Sequence, residues 1–194
     1  MPELFNFKKY NAADWITFSR IIAVPVVIIT TFLGLKIVTG IVIFLALCTD
    51  MADGYVARHY KMASNAGAKL DSVADVSLFL VSLFSIIWFF TDFFAARWWQ
   101  LSLIMGLYFF QLIFSFIRFG RVTSFHTYGA KAAAIVEGLF ITVCFFYMPL
   151  EWLFYFTLAI ALWEQAEEIT LMFILPRLRE NVKGVYWVLK ARKK

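Results

Sequence analysis

The sequence predicts an all-α integral membrane protein, a bundle of six transmembrane helices, on three observations. The first is composition. Of 194 residues, 62% belong to the set AVILMFWYC, 20% are aromatic and only 16% are charged, whereas ordinary globular proteins hold about 45–50% apolar residues, glycine included. Mean hydropathy is +0.78, and a soluble domain of this size could not hide so much apolar surface, so lipid is the expected solvent. The second observation is that apolar stretches of spanning length recur along the whole chain, and the third is a one-sided distribution of positive charge.

In order, the spans read Trp15–Phe32, Ile37–Arg58, Gly67–Thr91, Trp98–Arg118, Ala130–Met148 and Trp152–Leu175, each near the roughly 20 residues that cross a bilayer. The preceding MPELFNFKKYNAAD is polar to mixed and has neither the apolar core nor the cleavage site of a signal peptide, so none is expected. Connections are short, with no internal repeat or low-complexity linker, and residues 1–194 are expected to form one membrane domain. A six-span arrangement places all 18 Lys and Arg except Lys36 and Arg97 on the side of the termini. The positive-inside rule then makes both termini cytoplasmic, and five or seven spans would split the charges more evenly. The net charge of +5 therefore belongs to a membrane face and not to nucleic-acid binding. Cys48 and Cys144 lie in apolar runs without metal-ligand or disulfide spacing and are expected to be buried thiols.

Chemistry concentrates between the second and third spans, in TDMADGYVARHYKMASNAGAKLDSVADVSLF. Asp50 and Asp53 are spaced i,i+3 and Asp71 and Asp75 i,i+4, so each pair lies on one face of its helix. Carboxylates inside a membrane are costly and mark functional sites. If the helices end near Arg58 and Gly67, a rise of about 1.5 Å per residue puts Asp50 and Asp75 about 12 Å in and Asp53 and Asp71 about 6–8 Å in. An antiparallel hairpin then brings four acids together at matching depths. So many anions need compensation, and divalent cations supply it; oxygen donors favour Mg²⁺ or Mn²⁺, or else Ca²⁺. Gly54, Ala57 and Gly67 suit close approach of a helix or ligand, and Arg58, one turn beyond Asp53 and Gly54, suits phosphate.

The residues Asp50-x2-Asp53-Gly54-x2-Ala57-Arg58-x8-Gly67-x3-Asp71-x3-Asp75 resemble the signature of the CDP-alcohol phosphotransferase family at every fixed position. The resemblance implies six transmembrane helices around a polar, metal-binding cavity open to the cytoplasmic side. It also implies an enzyme that moves a substituted phosphate from a CDP-linked donor to an alcohol and releases CMP. In such enzymes the counterparts of Asp50, Asp53 and Asp71 are metal ligands, and that of Asp75 is the general base with a share in metal binding. Asp53, Gly54, Ala57, Arg58, Gly67 and Asp71 would line the CDP site. Two Mg²⁺ or Mn²⁺ ions across the pyrophosphate would neutralise it and stabilise CMP as it leaves.

A second stretch, Asn11-Ala-Ala-Asp14-Trp-Ile-Thr17-Phe-Ser-Arg20-x4-Pro25, is similar to the Asn-x-Pro-Asn-x-x-Thr-x-x-Arg-x4-Pro opening of bacterial phosphatidylglycerophosphate and cardiolipin synthases of that family. Ala13 replaces proline and Asp14 replaces asparagine, and Asp14 keeps the ability to cap a helix. This implies CDP-diacylglycerol as donor, glycerol 3-phosphate as acceptor and a bacterial inner membrane as location. LDSVADV departs from the LDPxADK of those synthases toward serine-type members, so serine, an inositol phosphate or another polyol is the alternative acceptor. Homodimers, frequent in the family, are a further implication; the other partners are the small alcohol and the bilayer, with no nucleic acid.

Arg118, Arg121 and Lys131, in and around IRFGRVTSFHTYGAKAAA, suit a phosphate-bearing acceptor and equally a topology-setting loop that binds lipid headgroups. His126 in the same loop reads as a polar loop residue. Glu164, Glu167 and Glu168 read as a polar lining or as partners of basic neighbours. The tail RLRENVKGVYWVLKARKK, with Val182, Val185, Tyr186, Trp187 and Leu189 among its cations, reads as a surface-lying segment or a disordered basic tail. A divalent-cation transporter would also need intramembrane acids, but ordinarily from several separated helices; here all four lie in one hairpin. A silent lipid-binding scaffold would not require an intact acid set.

Overall fold

A computed structural model describes residues 12–60, 65–120, 125, 127–175 and 182–192, with side chains for 17–49, 73–120, 125, 127–175 and 182–190. Among them are eight α-helices and no strand: α1 Ala12–Phe32, α2 Lys36–Tyr60, α3 Asn65–Phe89, α4 Thr91–Ala95, α5 Trp98–Phe119, α6 Tyr128–Phe146, α7 Glu151–Ile174 and α8 Val185–Arg192. The six long helices coincide with the six expected spans to within one turn at either end. Two of them, α5 and α6, are long and apolar enough by themselves to cross a membrane. The described apolar stretches Thr17–Phe32, Lys36–Thr49 and Val73–Phe89 are shorter. Glu164, Glu167 and Glu168 interrupt the apolar run of α7.

The chain divides into two compact units, Met1–Thr91 with Cys144–Met148, and Asp92–Val143 with Pro149–Lys194. In the first unit α1 packs along both α2 and α3. The turn into α2 is closed by Gly34 at φ +72°, a conformation that favours glycine. Gly34 N–H donates to Thr31 O and Leu35 N–H to Thr30 O, both at 3.0 Å, which satisfies carbonyls left over at the end of α1. Thr31 Oγ1 and Ser85 Oγ join α1 to α3 at 2.8 Å, and Thr39 Oγ1 donates to Thr30 Oγ1 at 2.9 Å. Gly40 has no room for a side chain, because a Cβ there would stand 2.5 Å from Phe145 Cβ. The fully buried Phe145 also meets the Phe89 ring edge-on at 5.9 Å.

In the second unit α5 and α7 run parallel and exchange amide contacts along their length. Gln100 Nε2 donates to Tyr155 Oη at 3.5 Å, Gln165 Nε2 to Ile104 O at 3.4 Å, and Gln111 Nε2 to Glu168 Oε2. Hydrogen bonds of this kind suit helices whose apolar sides gain little from meeting one another in lipid. Arg97, at the start of α5, bonds Glu151 at 2.5 Å and lies over the Phe93 ring. The tail differs from a purely surface-lying or disordered segment. Val182 is buried in a cluster with Phe125, Leu171, Met172 and Leu175, and Val185 and Val188 pack on it, while Tyr186 and Trp187 are exposed. The thiol expectation holds for buried Cys144, but Cys48 is exposed, since an apolar helix face can be turned away from the protein as well as into it.

Candidate active site

The aspartate motif lies on two helices of the first unit. Asp50, Asp53, Gly54, Ala57 and Arg58 belong to α2, and Gly67, Asp71 and Asp75 to α3. The side chains of the residues from Asp50 through Asp71 lie outside the described ones, so contacts are available for Asp75 alone. Register is nevertheless set by the backbone. Asp50 lies ten residues before the end of α2 and Asp75 ten after the start of α3, about 15 Å along each helix axis. Asp53 and Asp71 lie about 9–11 Å from the same ends. The helices extend slightly beyond Arg58 and Gly67, which deepens the expected positions without altering their matching.

Asp75 carries the main finding. Its side chain is 46% exposed, and Oδ1 accepts a hydrogen bond from Nη1 of Arg20. Arg20 lies on α1 with no solvent exposure, and its Nη2 reaches Thr17 Oγ1, one turn earlier, at 3.5 Å. A guanidinium taken out of water needs hydrogen-bonded, charged company. The packing of α1 against α3 provides it on one side, with Ala74 and Leu78 buried beside Asp75 on the same helix. Sequence reading counts Arg20 among the basic residues and within the N-terminal similarity, but gives it no place in the site. The signal was there: a cation in an apolar helix must find an acid, and α3 offers one.

Carboxylate oxygens are the donors that a hard divalent cation takes. The other motif acids are Asp50, Asp53 and Asp71. Among the residues with described side chains, no group of three or more His, Cys, Asp or Glu is placed to hold a metal ion; those three aspartates lie outside that set.

The remaining candidates are in the second unit. Arg118 donates from Nη2 to Leu175 O at 3.4 Å and lies near the Phe119 ring. Lys131 is exposed, with its ammonium over the Tyr128 ring at 5.7 Å. Arg121 and His126 lie outside the described residues. Glu168 takes an amide from Gln111, and Glu167 takes the Val185 N–H at 3.2 Å. Among the described residues neither glutamate pairs with a basic side chain, so the expectation of basic partners is replaced by amide and backbone donors.

Residues 10–163 match the family model for CDP-alcohol phosphatidyltransferase, a stretch that contains the whole aspartate motif and Arg20. Among curated proteins, the CDP-diacylglycerol--glycerol-3-phosphate 3-phosphatidyltransferase of Haemophilus influenzae is 34% identical over 82 residues, 41% of this chain and 44% of its own. The protein of the same name from Rickettsia bellii is 40% identical over 68 residues, 34% of this chain and 38% of its own. That of Yersinia enterocolitica is 32% identical over 91 residues, 43% and 50% respectively. The chain thus spans half or less of the length of these curated relatives. No solved structure matches. With four-fifths of its length under one family model, and with that family's motif placed on neighbouring helices, the chain belongs to the CDP-alcohol phosphatidyltransferase family.

Proposed function

We propose that this protein transfers the phosphatidyl group of CDP-diacylglycerol to glycerol 3-phosphate, releasing CMP, as an integral protein of a bacterial inner membrane. One domain over residues 1–194 would cross the bilayer six times around a polar cavity, with both termini in the cytoplasm. A homodimer is compatible with this reading. The observation that carries it is the motif on α2 and α3 with Asp75 already paired to a buried arginine. The names of the relatives favour glycerol 3-phosphate.

In this reading Asp50, Asp53 and Asp71 hold the metal, with Asp75 near enough in register to share in it. Bound Mg²⁺ or Mn²⁺, two ions in all, would supply charge neutralisation at the pyrophosphate and at departing CMP. Asp53, Gly54, Ala57, Arg58, Gly67 and Asp71 line the CDP site, where the small residues admit the nucleotide and Arg58 meets phosphate. Arg118, Arg121 and Lys131 bind the acceptor phosphate. A carboxylate oxygen of Asp75 takes the proton of the acceptor hydroxyl as that oxygen bonds to the phosphorus bearing diacylglycerol. The bond from this phosphorus to the CMP oxygen breaks, and CMP leaves with the electron pair. Arg20 is a positioning residue: fixed to Thr17 and enclosed by protein, it holds the Asp75 carboxylate toward its work.

The test is a purified-enzyme assay with CDP-diacylglycerol and a panel of alcohols, with products identified by mass spectrometry. Phosphatidylglycerol phosphate is expected, lost in EDTA and restored by Mg²⁺ or Mn²⁺. Full activity in EDTA would end the metal assignment, and a product from serine or an uncharged polyol alone would replace the acceptor. Arg121→Ala or Lys131→Ala should raise the acceptor KM about 10- to 150-fold, the worth of a charge-assisted contact, with a smaller effect on the donor KM.

A further inference from the structure

We propose that the C-terminal segment from Val182 to Lys190 braces the acceptor-binding cations, and that Glu167 of α7 is its clasp. This rests on the reading of Arg118, Arg121 and Lys131 as acceptor ligands. The segment is stitched to the loop before α6 by backbone bonds. Val182 N–H donates to Phe125 O at 3.0 Å, and Tyr128 N–H donates to Lys183 O at 3.4 Å. Val182 also fills the apolar cluster around Phe125 and Leu171. The loop and the tail are therefore one packed structure at this point.

Glu167 closes it. Its Oε1 accepts the N–H of Val185, the first residue of α8, where helix amides lack intrahelical partners and negative charge is favoured. The same carboxylate occupies space that two glycines leave open. A Cβ on Gly129, in the first turn of α6, would come 2.6 Å from Oε2, and one on Gly184 would come 2.7 Å from Oε1. Gly184 also has φ +148°, which side chains rarely adopt. One carboxylate of α7 thus bonds the start of α8 and packs against the start of α6.

From this clasp the contacts lead to the cations. Trp187 of α8 meets the Tyr128 ring at 5.7 Å, and that ring carries the Lys131 ammonium at 5.7 Å. Arg118 is held from the other side by the carbonyl of Leu175, a member of the same apolar cluster. Loosening the tail frees the ring beneath Lys131, so that cation must be ordered anew each time acceptor binds. A tail that served only as a membrane anchor would leave acceptor affinity untouched.

The experiment uses the full-length enzyme in phosphatidylcholine–phosphatidylglycerol vesicles. The variants are Glu167→Ala, Glu167→Gln and Trp187→Ala, with Lys131→Ala as control. KM for glycerol 3-phosphate and for CDP-diacylglycerol is measured beside kcat and hydrogen exchange over residues 182–188. Glu167→Ala should raise the acceptor KM about 2- to 12-fold, the net worth of one hydrogen bond, with faster exchange at Val185 and an unchanged donor KM. Glu167→Gln, whose amide oxygen can still accept the Val185 N–H, should restore the parent value. Trp187→Ala should shift the acceptor KM in the same direction and has little folding to disturb, being half-exposed. If exchange quickens while the acceptor KM stays fixed, and Lys131→Ala does raise it, the brace is refuted and the acceptor site stands. If Lys131→Ala also leaves the acceptor KM unchanged, the acceptor assignment itself fails.

Discussion

Among the described residues each unit buries one charged side chain, Arg20 in the first and Glu168 in the second, and the two are treated in opposite ways. Arg20 is paired with a carboxylate that remains 46% exposed, so the charge of the pair has an open side. Glu168 is met by the neutral amide of Gln111, itself buried, and faces the interior of the α5–α7 contact. Their surroundings follow the same division. In the first unit buried hydroxyls also turn to carbonyls of their own helix or turn: Thr31 bonds Val27 O at 2.7 Å, Thr39 bonds Leu35 O at 3.0 Å and Ser85 bonds Val81 O at 2.8 Å. The second unit sends long amides across to another helix. Acids within apolar helices therefore do two jobs in one chain. What separates chemistry from packing is the partner's access to the outside.

The contrast makes graded predictions. The largest effect belongs to Asp75→Asn, which keeps shape but removes a proton acceptor. Turnover should fall about 10²- to 10⁴-fold, as for a lost general base, while binding of CDP-diacylglycerol changes far less. Equal loss of donor binding would make Asp75 chiefly a ligand, and near-normal turnover would move the base to Asp71. Arg20→Gln comes next. Turnover should drop about tenfold, the lower end for a charge-assisted hydrogen bond, because half-exposed Asp75 can draw on water, and Arg20→Lys should recover part of it. An unchanged rate would reduce Arg20 to a packing residue.

In the second unit, Gln111→Leu should leave turnover and both KM values near those of the parent. Thermal unfolding in detergent should instead show a loss of about 1–3 kcal/mol, the penalty for stranding a buried acceptor. A fall in rate as large as that of Arg20→Gln would erase the distinction between the units. The smallest change is expected for Thr31→Val, which removes the bridge to Ser85. Hydrogen bonds between membrane helices average about 0.6 kcal/mol, and a loss above about 2 kcal/mol would mean that the bridge supports more than the α1–α3 contact.

The six long helices were legible because each is an apolar run bounded by polar or turn residues, and Gly34 and Gly120 end α1 and α5 as left-handed glycines. The motif was legible because its spacing is helical and its residue types are expensive in lipid. Pairings between distant positions were not. Nothing local to Arg20 distinguishes Asp75 from the other motif acids, and the choice is made by the way α1 lies along α3. Glu167 was equally opaque, since its partners are a backbone amide and the space beside two glycines. The tail showed its apolar residues but not that Val182 belongs inside and Trp187 outside, because Val182 precedes α8 and eight helical residues make too few turns to declare a face. The short helix α4 lies between two aromatic runs, where apolarity alone marks no boundary.

The seat of Phe145 against Gly40 has a consequence in time. The unit that carries the aspartates includes Cys144–Met148, so its last piece is synthesised only after residues 92–143. At about 5–20 residues per second, that interval lasts about 3–10 s. During it, α1–α3 have an open slot beside Gly40, to be closed by a ring that has yet to be made. A larger residue at position 40 would therefore act late, hindering completion of the unit without preventing the first three helices from pairing. The order of synthesis makes α6 the piece that finishes the unit containing the candidate site.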